Sequence, residues 1–94
     1  MKLALSKRAR ADYKAIRAYS LKQFGLQQAA AYRERFETAF ERLLAFPESG
    51  APSDTVASGL RRLPVGRHCV FYPLTAGEVR IVAILHQRQL PDEI

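Results

Sequence analysis

All five arginines of the stretch from Gly59 to Arg88 and both histidines of the chain, Arg61, Arg62, Arg67, His68, Arg80, His86 and Arg88, lie on or beside three consecutive strand-like segments. Side chains of these types can do two kinds of work. They can grip an acidic or phosphate-bearing surface, or they can cleave RNA without a metal. Cleavage requires groups that activate a 2′-hydroxyl, steady a pentavalent phosphate and protonate the leaving oxygen. The stretch has no lysine, and its only tyrosine is Tyr72. Histidines on strands more often serve as hydrogen-bonded structural groups than as catalysts. The seven residues therefore read as a target-binding set, with no residue assigned to catalysis.

Other chemistry is missing from the sequence. There is no GxxxxGK[ST] phosphate loop, GxGxxG fingerprint, HExxH pair or GxSxG elbow, so no cofactor is expected. The single cysteine, Cys69, excludes an internal disulfide and any multi-cysteine metal site, and mid-strand it reads as a small hydrophobe. Glu34, Glu37 and Glu41 ride one helix face, where pairing with neighbouring arginines explains them better than acid–base work.

The elements that must position the basic set follow from periodicity and turn chemistry. Gly66 turns the chain between LRRLPV and RHCVFY, and Thr75, Ala76 and Gly77 make a hairpin before EVRIVAILH, so strands adjacent in sequence are expected to pair. In that last strand Val79, Ile81, Ala83 and Leu85 alternate onto one apolar core face. Glu78, Arg80, Val82, Ile84 and His86 fall on the other, a partly solvated surface. Ahead of the sheet, Lys2 to Leu5 reads as a strand, Ser6 as the N-cap of a helix ending near Gly25, and Leu26 to Ala45 as a second helix. Ala9, Tyr13, Ile16, Ser20 and Phe24 form the first apolar stripe, and Ala29, Tyr32, Phe36, Phe40 and Leu43 the second. Residues 47–58 read as a loop, and a polar tail ends in Asp92 and Glu93. The prediction is an α+β fold ordered strand-helix-helix-strand-strand-strand. An antiparallel helix hairpin packs on one face of a mainly antiparallel sheet whose other face is partly open.

With 94 residues, 48% hydrophobic and 26% charged, residues 1–94 make one domain with one modest core. No run approaches the roughly 20 apolar residues of a membrane span, and the chain reads as cytosolic, with no membrane partner. The net charge of +6 is uneven: residues 1–46 hold 10 Lys and Arg against 4 Asp and Glu, whereas residues 47–94 hold 5 against 5. Lys7, Arg8 and Arg10 crowd the positive end of a helix dipole, and with Lys14 and Arg17 they suit an acidic protein partner, direct nucleic-acid contact staying open.

LSxxAxxDYxxIxxY (Leu5 to Tyr19), Gly25, AxxY (Ala29 to Tyr32), FPESG (Phe46 to Gly50), GLRRL (Gly59 to Leu63), GRHCVFY (Gly66 to Tyr72) and IVAILHQR (Ile81 to Arg88) occur in this order. Together they resemble the ParE/RelE superfamily of toxins from bacterial toxin–antitoxin modules, on the ParE side. The resemblance implies a RelE/ParE-like fold, cytosolic location and a ParD-like antitoxin from the same operon, bound as a hetero-oligomer. It also implies DNA gyrase as the inhibited target. The RelE side instead implies ribosome-dependent mRNA cleavage, usually with a tyrosine near the C-terminus; Gln87, Arg88, Gln89 and Leu90 offer none. Lys7, Arg8, Arg10, Lys14 and Arg17 are then expected to meet the antitoxin, and the seven residues of the sheet to meet the target.

Overall fold

The computed structural model describes residues 1–54 and 56–89; Thr55 of the 47–58 loop, Leu90 and the tail with Asp92 and Glu93 lie outside the described residues. The elements are β1 (Lys2–Leu5), α1 (Lys7–Ala45), β2 (Ala51–Pro52), β3 (Leu60–Val65), β4 (His68–Thr75), β5 (Glu78–Ile81) and β6 (Ala83–His86).

Ser6 caps α1 as predicted: in extended conformation, its Oγ accepts the Ala9 N–H at 3.1 Å. Thirty-nine residues of straight helix would span about 58 Å, but the longest dimension of the molecule is 37 Å. The helix folds back at Gly25, whose φ of 84° and ψ of 175° lie in a region essentially closed to residues with a Cβ. The arms, 7–24 and 26–45, run antiparallel and lock through aromatic contacts, with Tyr13 at 5.3 Å from Phe36 and 5.8 Å from Phe40 between ring centroids. Ala9, Phe36, Phe40 and Leu43 are buried against the sheet and Tyr13, Ile16 and Tyr32 pack beside them, so both predicted stripes form the core face. Phe24 departs from its stripe and is 59% exposed.

The sheet runs β1-β5-β4-β3-β2, with β1 parallel to β5 and the other pairs antiparallel; β6 continues β5 along β4. Both sequence-neighbour pairings hold. Part of the expected loop forms the two-residue β2 against Arg61 and Arg62. The final strand is not continuous. Leu74 opposes Val79, but Phe71 opposes Ala83, so β4 advances three residues while its partner advances four. Val82 is the extra residue of a β-bulge, and it reverses the inside–outside phase beyond it. Val79, Ile81 and Ile84 enter the core under the helices, whereas Ala83 and Leu85 go to the reverse face. The expectation that Val79, Ile81, Ala83 and Leu85 share a face is thus corrected, and His86 turns toward the helices.

The reverse face is also less open than predicted. Leu60, Phe71, Ala83 and Leu85 are buried there in a second cluster, joined by Val56 from the loop and by half-buried Cys69, the small hydrophobe expected of it. Burial pushes the Cys69 thiol pKa up, the Arg62 charge opposing this.

Nothing lies within 4 Å of a Cβ placed on Gly25, so substitution there meets backbone strain alone. Gly25→Ala is expected to lower the unfolding free energy by about 1–3 kcal/mol, read as a fall in urea midpoint at unchanged m-value.

Candidate functional site

Cross-strand pairing sets His68 directly opposite His86, with ring centroids 5.2 Å apart and planes at 84°. Because the bulge turns His86 inward, the pair faces the α1 hairpin rather than the open sheet surface. Tyr32 of the second arm meets it there. Its hydroxyl lies 2.6 Å from His68 Nδ1, 3.1 Å from the Val65 carbonyl and 3.1 Å from the Arg67 backbone nitrogen. One hydroxyl satisfies all three when it donates to Val65 O and accepts from the Arg67 N–H and from a proton on His68 Nδ1. The turn at Gly66, φ 58°, lies so close under the Tyr32 ring that a Cβ would sit 2.5 Å from it.

The neighbouring backbone fixes His86 in the opposite sense. Its Nδ1 accepts the Arg88 N–H at 3.1 Å, which leaves the proton of the neutral ring on Nε2. With the protons so placed, the two neutral rings offer different Nε2 atoms, a lone pair on His68 and an N–H on His86. Burial, and secondarily the charge of His86, hold the His68 pKa below its ordinary 6.5.

Around this pair lies a cleft of about 520 Å³ between the hairpin tip and the β3–β4 turn. Besides Tyr32 it draws Tyr19, Phe24 and Arg35 from α1, and Arg67 from the turn. The Arg35 guanidinium stands over the Tyr32 ring, 5.8 Å from its centroid. Among the described residues no group of three or more His, Cys, Asp or Glu could hold a metal ion.

The seven predicted target-binding residues do not form one surface. Arg67, His68 and His86 line the cleft, and Arg88 follows in the turn beyond β6. Arg61 is engaged by the loop after α1, donating to the carbonyls of Gly50 at 2.9 Å and Glu48 at 3.0 Å. Tyr72 ties the same loop from inside the core, donating to Pro47 O at 2.7 Å and accepting the Gly50 N–H at 2.9 Å. Arg62 and Arg80 are exposed and alternate onto the reverse face. The set is thus divided among the cleft under the helices, the turn beyond β6, the loop after α1 and two outward arginines.

Of the helical cations, Lys7, Arg10, Lys14 and Arg17 recur at three- and four-residue spacing and share one exposed stripe. Leu21, 50% exposed, continues it. Arg8 leaves the stripe and sits 3.6 Å from Asp12, and Arg17 lies over Tyr13. Of the three glutamates read as helix-surface partners of arginine, Glu37 pairs with Arg33 at 2.9 Å. Tyr19, Phe24, Tyr32 and Arg35 carry no sequence signal of a site, since they lie on the helices away from the basic strands and Phe24 and Tyr32 fall in the predicted core stripes.

His68 favours its neutral form in the fold, so the unfolded chain binds the proton more readily as pH falls through 6.5. Stability should be full above that value and decline below it. Urea melts at pH 7.5 and 5 are expected to show a larger loss for the wild type than for His68→Gln.

The family model described as ParE toxin of type II toxin–antitoxin system, parDE, matches residues 3–91. Toxin ParE1 of Caulobacter vibrioides is 37% identical over 83 residues, covering 88% of this chain and 85% of that protein. Toxin ParE1 of Mycobacterium tuberculosis strain H37Rv is 34% identical over 85 residues, 89% and 87% of the respective chains. Among solved structures, the chromosomal ParDE TA system from P. aeruginosa superposes with a TM-score of 0.77 at 20% identity, covering 92% of this chain and 95% of that one. The YoeB/ParE toxin from Agrobacterium tumefaciens follows with a TM-score of 0.64 at 14% identity over 92% and 98%.

Proposed function

The chain belongs to the ParE toxin family of type II toxin–antitoxin systems, and from that premise we propose that it acts in the cytosol as a non-enzymatic inhibitor of DNA gyrase, neutralised by a ParD-like antitoxin encoded beside it. The observation that carries the reading is the continuous match of residues 3–91 to the family, supported by two relatives above 30% identity. No helix among the described residues is long and apolar enough to cross a membrane.

The antitoxin meets the stripe of Lys7, Arg10, Lys14 and Arg17, flanked by Arg8. An acidic, partly disordered segment gains encounter rate from this field and anchors apolar side chains on Leu21 and Leu26, the latter 77% exposed. The target meets the mouth of the cleft at Arg67 and His86, with Arg88 in the turn beyond β6. Arg62 and Arg80, on the reverse face, are secondary contacts.

Purified gyrase should lose supercoiling activity and accumulate cleaved DNA complexes in the presence of the chain, while translation extracts run unimpaired at the same dose. His86→Ala is expected to weaken target binding by about 1–2 kcal/mol, as one contact among several. Arg67→Glu or Arg88→Glu should cost more, and more than Arg80→Glu. A gyrase indifferent to the chain sinks this reading.

One observation favours the rival reading, a ribosome-dependent endoribonuclease. His68 and His86 stand side by side in a basic cleft, ring centroids 5.2 Å apart, where one imidazole could act as general base and the other, as imidazolium, as general acid. Cleavage of ribosome-bound mRNA, lost by a factor on the order of 10² to 10⁴ in His86→Ala, would establish it.

The antitoxin proposal has its own check. The neighbouring operon product should copurify with the chain, with association slowed by added salt and by charge reversal at Arg10, Lys14 and Arg17. Association indifferent to both would remove the electrostatic part.

A further inference from the structure

The cleft combines two features that neither the fold nor antitoxin encounter requires. Its wall carries Arg35, Arg67, His68 and His86 without a carboxylate among the lining residues. Its rim carries Tyr19 and Phe24, 60% and 59% exposed, with ring centroids 6.3 Å apart at 78°. Leaving two aromatic rings in water forgoes apolar burial that the core would reward, and exposed aromatics beside clustered cations mark recognition surfaces. The volume lies within the range of about 300–1,000 Å³ typical of small-ligand sites.

We infer that this cleft binds single-stranded nucleic acid, taking a base against the Tyr19 and Phe24 rings and the adjoining phosphates against Arg35 and Arg67. A single strand repeats a flat π face and an anion in every unit, and the cleft alternates the same two complements. Duplex DNA keeps its base faces stacked and has none to offer. An acidic peptide would satisfy the cations and leave the rings without a planar partner. The source of the strand rests on the gyrase reading above: it is DNA opened or cut at the enzyme's gate. DNA has no 2′-hydroxyl, so binding entails no bond change and agrees with a non-enzymatic toxin.

Fluorescence anisotropy of the whole chain with labelled oligo-dT tests the assignment, with duplex DNA, oligo-U and an oligo-glutamate peptide of equal length as competitors. Oligo-dT should bind more tightly than duplex, with log affinity falling against log salt at about 0.7 per phosphate engaged. Arg35→Glu and Arg67→Glu should each weaken binding about tenfold or more, and Tyr19→Ala combined with Phe24→Ala on the order of tenfold to a hundredfold. Lys2→Glu makes the same charge change beside Gly77, at the other end of the sheet from the histidine pair. It should shift affinity less than about twofold at physiological salt. Circular dichroism of each variant guards against loss of fold.

Equal weakening by Lys2→Glu and Arg67→Glu would overturn the site, because net charge alone would then explain binding. So would wild-type affinity in the aromatic double variant, or oligo-glutamate competing as well as oligo-dT. Preference for oligo-U would overturn DNA as the occupant. Arg67→Glu that loses oligo-dT yet inhibits gyrase at the wild-type dose would sink this inference and leave the gyrase reading intact. Oligo-dT binding by a chain that leaves gyrase untouched would confirm the site and remove the proposed source.

Discussion

The bulge at Val82 is the constraint on which the arrangement turns. An extra residue leaves backbone groups out of register, and buried groups of that kind must find partners. Here the start of the helix supplies them. The Ser6 hydroxyl donates to Val82 O at 3.1 Å, the Ser6 N–H donates to Ile81 O at 2.9 Å, and Asp12 Oδ2 accepts the Ile84 N–H at 3.0 Å. On the other side the Val82 N–H reaches Phe71 O at 2.9 Å. The cap that begins α1 is thus also the clamp that holds the sheet's irregularity, and Asp12 serves Ile84 while standing beside Arg8. Sheet phase, helix position and the inward turn of His86 form one linked choice.

This linkage explains what could be read from the residues and what could not. Ser6, Gly25, Gly66 and Gly77 declare themselves because a cap or a positive φ is a local demand that few residue types meet, and all three of those glycines have positive φ. The helix stripes were legible because burial at 3.6-residue spacing leaves a pattern in composition. Val82 leaves no pattern. From Ile81 to Leu85 five apolar residues follow one another, so either phase reads as buried; no glycine or proline marks the irregularity, and the bulge is fixed by Ser6 and Asp12 about seventy residues earlier. One missed residue then inverted the reading of Ile84, Leu85 and His86 together. The parallel place of β1 beside β5 was equally silent, since pairing over that distance is chosen by packing.

The same logic limits what the charges reveal. Five arginines in the sheet region look equivalent as letters, but Arg61 is consumed by loop carbonyls while Arg67 faces a cleft. A guanidinium bound to backbone oxygens holds structure, and one beside exposed aromatic rings is free to meet a ligand. Sequence order could not separate them because the loop bound by Arg61 lies across the strand register, set by Tyr72 from beneath.

The pairing of β1 with β5 has a consequence for synthesis. A nascent chain makes β1 and both helical arms long before the strands that receive them, and loop closure over such separations is slow. Until β5 and β6 leave the ribosome, Ser6 and Asp12 have no bulge to hold, Tyr32 has no imidazole beside it, and β1 is an unpaired edge. A polypeptide stalled anywhere before that point carries the helices without the cleft. Translation itself therefore withholds the cleft until the last strand, β6, pairs with β4.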